Sequence, residues 1–194
     1  TLQDSADRPY LHLVDGGVSD NLAMRSVLEG LEQIEASESY RRASRIDRVR
    51  RMAVFVVNSL SVPKTDWDRR ERPPSDVAIL LKATGVPIDR YSYETVELLK
   101  DTIARWKAYR ALRASAPGAA ATTVADVPDI ELYSIDVSFV AHPDAAEREY
   151  LNAMPTSFAL SDEQVDRLRA AAGAIVRQSP EFQRLLRDIQ SSPP

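Results

Sequence analysis

Two β-rich runs set far apart in the chain constrain this sequence more than any other feature. "MAVFVVNS", residues 52–59, opens with an unbroken run of Met, Ala, Val and Phe through Val57, and "IELYSIDVSFV", residues 130–140, is a second β-rich run. The first run, continuous in β-branched and aromatic residues, is typical of a strand covered on both faces. Leu132, Ile135 and Val137 depart from a period of two, which predicts a bulge or twist in the second run. Residues 60–129 lie between the runs and carry helical spacing, so the connection is a crossover and the pair is parallel. The class is therefore α/β with a mostly parallel sheet. Tyr10–Val14 reads as a third short strand. Three strands are few for 194 residues, and the sheet reads as incomplete.

The helical segments follow from spacing and from their ends. Leu22, Val27, Leu28, Leu31 and Ile34 recur on one face, with Asp20 or Asn21 placed to cap the helix start. After a loop holding Pro63, Pro73 and Pro74, Ser75 opens a short helix through Lys82. A long helix follows over Ser92–Arg113, with Val96, Leu99, Ile103 and Trp106 inward and Glu97–Lys100 and Asp101–Arg105 at ion-pair spacing. Ser161 and Gln164 form a capping box ahead of a stripe of Val165, Leu168, Ala172 and Ile175. Ser179-Pro180 starts a last helix that turns Phe182, Leu185, Leu186 and Ile189 inward. "SAPGAAATTVADVP", residues 115–128, offers little apolar surface and reads as a flexible connection.

Composition closes off several chemistries. There is no cysteine, hence no disulfide, thiolate metal site or Cys nucleophile. Two histidines, His12 and His142, cannot furnish a histidine-rich zinc site. A net charge of −4 gives no basic field for nucleic acid, so none is expected as a partner. No apolar run reaches the ~20 residues of a membrane-spanning helix. The chain starts at Thr1 and not Met, which suggests an upstream segment removed or omitted.

The chemistry concentrates where the first expected strand ends, in "YLHLVDGGVSDNLAMRSVLEGLEQIE", residues 10–35. In a parallel α/β sheet, functional groups gather at the carboxyl ends of strands, and Asp15 stands at such an end. Gly16 and Gly17 permit positive φ and close approach of another backbone or a substrate. A carboxylate there can orient or deprotonate a nucleophile, ligate a metal, or simply close a turn.

"LHLVDGGVSDNL" resembles the second signature of patatin-like phospholipases, an apolar strand leading into Asp-Gly-Gly and then a helix with an early Asn. "FVVNS" and the stretch from "YSIDVSFVAHPD" through "PTSFAL" (Pro155–Leu160) to "AGAIV" are similar to the C-terminal half of bacterial members. The resemblance implies the C-terminal portion of one three-layer α/β/α acyl-hydrolase domain, spanning residues 1–194, with its N-terminal part missing. It implies ester hydrolysis on a lipid or membrane-surface substrate without a cofactor or metal. Asp15 would be the base of a Ser-Asp dyad, with Gly16 and Gly17 shaping its turn. The family's Gly-x-Ser-x-Gly elbow and glycine-rich oxyanion loop are absent; "GVSDN", residues 17–21, lacks the second glycine, so Ser19 is a poor nucleophile. The nucleophilic serine would come from the upstream part of the same enzyme.

Other readings stay open. The aspartate can merely complete a turn in a non-catalytic patatin-like interaction domain, or ligate phosphate or metal with Asp136 as the second carboxylate. His12 faces away from Asp15 on an alternating strand, and His142 precedes Pro143 without an acid-base partner. Arg41, Arg45 and Arg48 would line one helical face that could meet anionic headgroups, and Trp67 sits in a proline-rich loop. Thr1 invites comparison with N-terminal nucleophiles, but no strand begins there. Limited proteolysis is expected to cut within 115–128 before it cuts the long helix; first cleavage inside 92–113 would contradict the boundary.

Overall fold

The computed structural model describes residues 10, 15–61, 66–69, 71–115, 127–155, 157 and 159–191. The expected strand at Tyr10–Val14 beyond Tyr10, His12, Thr1 and the interior of the 115–128 connection lie outside these residues. Strand β1, Arg51–Asn58, pairs in parallel with β2, Glu131–Ser138. The register runs one to one from Arg51↔Glu131 to Asn58↔Ser138, so the bulge expected in β2 does not form. Its irregular pattern has another cause: Leu132 and Tyr133 are both buried, on opposite faces. The chain is mixed α/β with a parallel sheet of two strands among the described residues.

Short helices α1, Gly17–Asp20, α2, Met24–Ala36, and α3, Glu38–Ala43, precede β1. Helix α4, Asp76–Ser115, forms the crossover. After β2 come α5, Ala145–Asn152, α6, Asp162–Gln178, and α7, Pro180–Gln190. The even face of the sheet (Met52, Val54, Val56, Leu132) packs on Met24, Leu31 and Ile34 of α2 and on Leu99 and Trp106 of α4. The odd face of β2 (Tyr133, Ile135, Val137) packs on Ile175 of α6 and on Phe182 and Leu185 of α7. A smaller cluster, Leu151, Met154 and Ala171, joins α5 to α6 across the Pro155–Leu160 segment.

Several expectations change in detail. The two helices read at 75–82 and 92–113 are one, continuous through Gly85 and Pro87. Pro87 has no N–H to give Ala83, yet the helix runs on. β1 is covered on one face only: Phe55 is 46% and Val57 66% exposed, and Phe55 meets Phe182 edge-on at 6.2 Å. Ala171 and not Ala172 is the buried alanine of α6, and Ile189 of α7 is exposed. The Ser161–Gln164 capping box is present, and Ser179 accepts from the Phe182 N–H ahead of Pro180.

Two carboxylates clamp the elements together. Glu35 of α2 accepts from Arg105 Nε and Nη2 (3.1 and 2.7 Å) and from Trp106 Nε1 at 2.9 Å. Arg105 thus reaches across to α2 and not along its own helix to Asp101. Its hydrogen bonds hold the Glu35 carboxyl below its ordinary value, against the opposing effect of burial. Glu131, at the start of β2, pairs with Arg110 of α4 and Arg184 of α7. Arg184 also lies over the Tyr133 ring at 4.1 Å. Tyr133 donates to Asp188 at 2.6 Å, and burial first, then Asp188, pushes its phenol up to about 12.

Burial raises the Glu131 carboxyl, but the Arg110 and Arg184 hydrogen bonds outweigh it and the net shift is downward from 4.5. A carboxyl more acidic folded than unfolded stabilises fully above the unfolded value and loses that contribution as pH falls through the folded one. Glu131→Gln is therefore expected to cost about 2 kcal/mol at neutral pH, because it leaves two guanidinium groups short of a partner. Urea unfolding of the variant should also lose less between about pH 5 and about pH 3 than the parent does. Equal pH slopes would show that Glu131 carries no linked protonation.

Candidate functional site

Asp15 is exposed and its side chain closes the turn it begins: Oδ1 accepts from the Gly17 N–H at 2.7 Å. The other carboxylate oxygen takes no hydrogen bond among the described residues. The two glycines do different things. Gly16 has φ −58°, an ordinary helical value, and a β-carbon there would meet nothing within 4 Å. A β-carbon on Gly17 would lie 3.1 Å from Asp15 Oδ1 and 3.0 Å from Asn21 Oδ1. Close approach, and not positive φ, is what the second glycine provides.

The next carboxylate fixes the helix that leaves the turn. Asp20 Oδ1 accepts from the Met24 N–H and Oδ2 from the Arg25 N–H, both at 3.0 Å. These are orphan donors of the first turn of α2, so Asp20 and not Asn21 caps it. The chain reaches α2 through Ala23, whose φ of 52° is left-handed.

The remaining sequence candidates have local duties. Ser19 is exposed and donates to the Gly16 carbonyl at 3.2 Å. His142 is buried in a turn, where Nδ1 accepts from the Asp144 N–H at 3.2 Å. Arg41 is buried and donates to the Ile34 and Glu35 carbonyls at 2.6 and 3.1 Å, closing the end of α2. It therefore does not share an exposed face with Arg45 and Arg48. Trp67 is half-buried in the single turn Asp66–Arg69. Among the described residues no group of three or more His, Asp or Glu converges to hold a metal. No helix described is long and apolar enough to cross a membrane.

A cleft of about 780 Å³ lies between α4, the even face of β2 and α7, and Asp15 does not line it. Its apolar wall includes Val56, Val96, Ile103, Trp106 and Leu132. Toward the carboxyl end of the strands the lining turns polar, with Asn58, Ser92, Lys100, Asp136 and Ser138. Ser138 is buried and donates to Asp136 Oδ2 at 3.0 Å. Lys100 binds Glu97 at 2.7 Å; that hydrogen bond, opposed by burial and aided by the nearby Asp136 charge, holds its ammonium above the ordinary value. The sequence showed Lys100 only as a surface ion-pair member and Asp136 only as a candidate second carboxylate to Asp15. Their meeting depends on the crossover that lays α4 antiparallel to β2.

No protein-family model, curated protein or solved structure matches this chain.

The glycine geometry yields a local test. Gly17→Ala should displace the Asp15 carboxylate and speed amide exchange at position 17 at least about ten-fold, whereas Gly16→Ala should leave that exchange unchanged. Equal effects of the two substitutions would remove the steric reading of the turn.

Proposed function

We propose that this chain is the C-terminal portion of a patatin-like serine acyl hydrolase acting on carboxylic esters of lipids, with Asp15 the base of a Ser-Asp dyad. The observation that carries the reading is the Asp15 turn, in which the Gly17 N–H fixes one carboxylate oxygen while the other takes no hydrogen bond among the described residues. A dyad without histidine needs a carboxylate held in one place and still able to accept the serine proton. The resemblance of "LHLVDGGVSDNL" and of the segment around "PTSFAL" to the family supports the same assignment. No cofactor or metal is required for this chemistry.

The serine and the oxyanion donors are assigned to the upstream part of the same enzyme, which is the partner this surface suits. Phe55 and Val57 leave the odd face of β1 apolar and open. Val77, Ile79, Leu80 and Val86 do the same for the first half of α4. Apolar surface of this extent marks a face that another element covers. The same exposed faces suit a non-catalytic patatin-like interaction domain, in which Asp15 only closes its turn, and activity decides between the two.

Joined to its native upstream segment, the protein is expected to cleave a soluble fatty-acyl ester, and Asp15→Asn should lower that turnover by about 10³–10⁴-fold with the melting temperature unchanged. Asn can keep the turn but cannot take the proton. The isolated chain should show no turnover above background, since loss of oxyanion donors alone costs about 10²–10³-fold and the nucleophile is absent too. A full-length Asp15→Asn protein as active as its parent would leave Asp15 a turn residue and favour the interaction domain.

A further inference from the structure

We propose that the first half of α4 is a lipid-surface anchor, which lies in the headgroup–acyl boundary of a bilayer and brings the Asp15 turn to it. The choice of lipid as what covers this stretch rests on the hydrolase reading, and the β1 face stays with the upstream part of the enzyme.

The first observation is a stretch of sequence. Residues 77–88, "VAILLKATGVPI", hold one ionisable side chain, Lys82, in twelve positions. An apolar segment of this length belongs in a protein core or in a membrane interface; as a helix it is ~18 Å long, well short of the ~30 Å hydrocarbon core. The structure removes the first alternative. Val77, Leu80 and Val86 are more than half exposed, and Ile79 is exposed as well. The core residues of α4 are Val96, Leu99, Ile103, Trp106 and Tyr109, all in its second half.

The second observation is where the apolar surface points. At 3.6 residues per turn, Val77 and Leu80 share one side of the helix and Ile79 and Val86 another, while Lys82 shares the remaining strip with Asp89. A helix packed on one protein face buries one stripe. Hydrocarbon covers a wide arc and leaves a narrow polar strip to the headgroups, where the Lys82 stem can lie on apolar surface with its ammonium in water. Exposed Arg69 and Arg72 stand just ahead of α4, placed for lipid phosphates. Glu71 and Asp76 beside them keep that attraction modest, so apolar burial sets the affinity.

The third is position. Arg110 pairs with Glu131 at the start of β2, and α4 runs antiparallel to that strand. The eight residues of β2 span ~26 Å, which α4 covers in about 17 residues. Residues 77–88 therefore project past the carboxyl ends of the strands, the edge at which functional loops gather. Helix α1, which continues from the Asp15 turn, lies against α4. Added strands extend a sheet sideways, so they cover Phe55 and Val57 and not a helix standing beyond the strand ends.

The test mixes this chain with unilamellar vesicles of phosphatidylcholine and phosphatidylglycerol in equal amounts. Co-sedimentation should show saturable binding, and the triple substitution Ile79→Gln, Leu80→Gln and Val86→Gln should weaken it at least about ten-fold by removing apolar surface. Gln is a good helix former, so the circular dichroism of the variant should match the parent. Leu98→Gln with Leu112→Gln, at exposed positions of the packed half, should leave vesicle binding unchanged. The chain has no cysteine, so a dye can be placed on Leu80→Cys or on Val57→Cys alone. Spin label carried on the acyl chains should quench the dye at position 80 and spare the one at position 57. No sedimentation with vesicles, equal binding by parent and triple variant, or equal quenching at the two positions would each overturn the proposal. So would a dye at position 80 already shielded from aqueous iodide in the lipid-free full-length protein, which would assign the stretch to the upstream part. Dimerisation of the parent that the triple variant loses would assign it to a second copy, with the same consequence. Vesicle binding is read without turnover and soluble-ester turnover without vesicles, so failure of the anchor and failure of the hydrolase reading are distinguishable.

Discussion

The parallel ladder between β1 and β2 is the constraint on which the rest of the structure depends. Two parallel strands cannot be joined by a turn, so the chain must leave β1, cross the sheet and return to the same edge direction. The 40-residue helix α4 is the body of that crossing. It lays Leu99 and Trp106 over the even face of the sheet, where α2 completes the core. The odd face then falls to α6 and α7, which cover β2 and reach β1 only at Phe55. A pair of strands with one half-open face is a sheet that suits further strands or helices.

The polar clamps sit where the layers meet, and each joins elements distant in sequence. Glu35 binds α2 to α4 through Arg105 and the Trp106 indole. Glu131 joins α4, β2 and α7 through Arg110 and Arg184. Partly buried carboxylates need such partners, because burial alone would favour the neutral acid. The guanidinium fork answers that need with paired donors.

The Asp15 turn and the cleft are built differently. Asp15 is held within three residues by its own backbone, a local device that Gly17 makes possible by lacking a β-carbon. The cleft is a tertiary device: its acidic end joins α4 to the last residues of β2, and no short stretch of sequence contains it. The Asp15 turn can therefore be recognised from a motif. The mixed lining of the cleft appears only when the crossover lays α4 against the sheet.

Much of the fold was legible in the chain. The β-branched runs and the helical spacing between them required a parallel α/β arrangement, and the Ser161–Gln164 box and Ser179-Pro180 fixed helix starts through local hydrogen bonds. Asp20 as the cap of α2 was equally local. Gly85 and Pro87 fall between the two helices expected at 75–82 and 92–113, and the single helix here continues past both. Arg105 passed over Asp101 for Glu35, and Arg41 turned inward to the end of α2, because a partner across the fold was nearer in geometry than one along the sequence. Local hydrogen bonding and hydrophobic period are written into neighbouring residues, so the sequence by itself determined the two paired strands, the capped helix starts and the Asp15 turn. Burial, long-range ion pairing and the polarity of a cleft depend on which faces come together, and only the tertiary structure decided those.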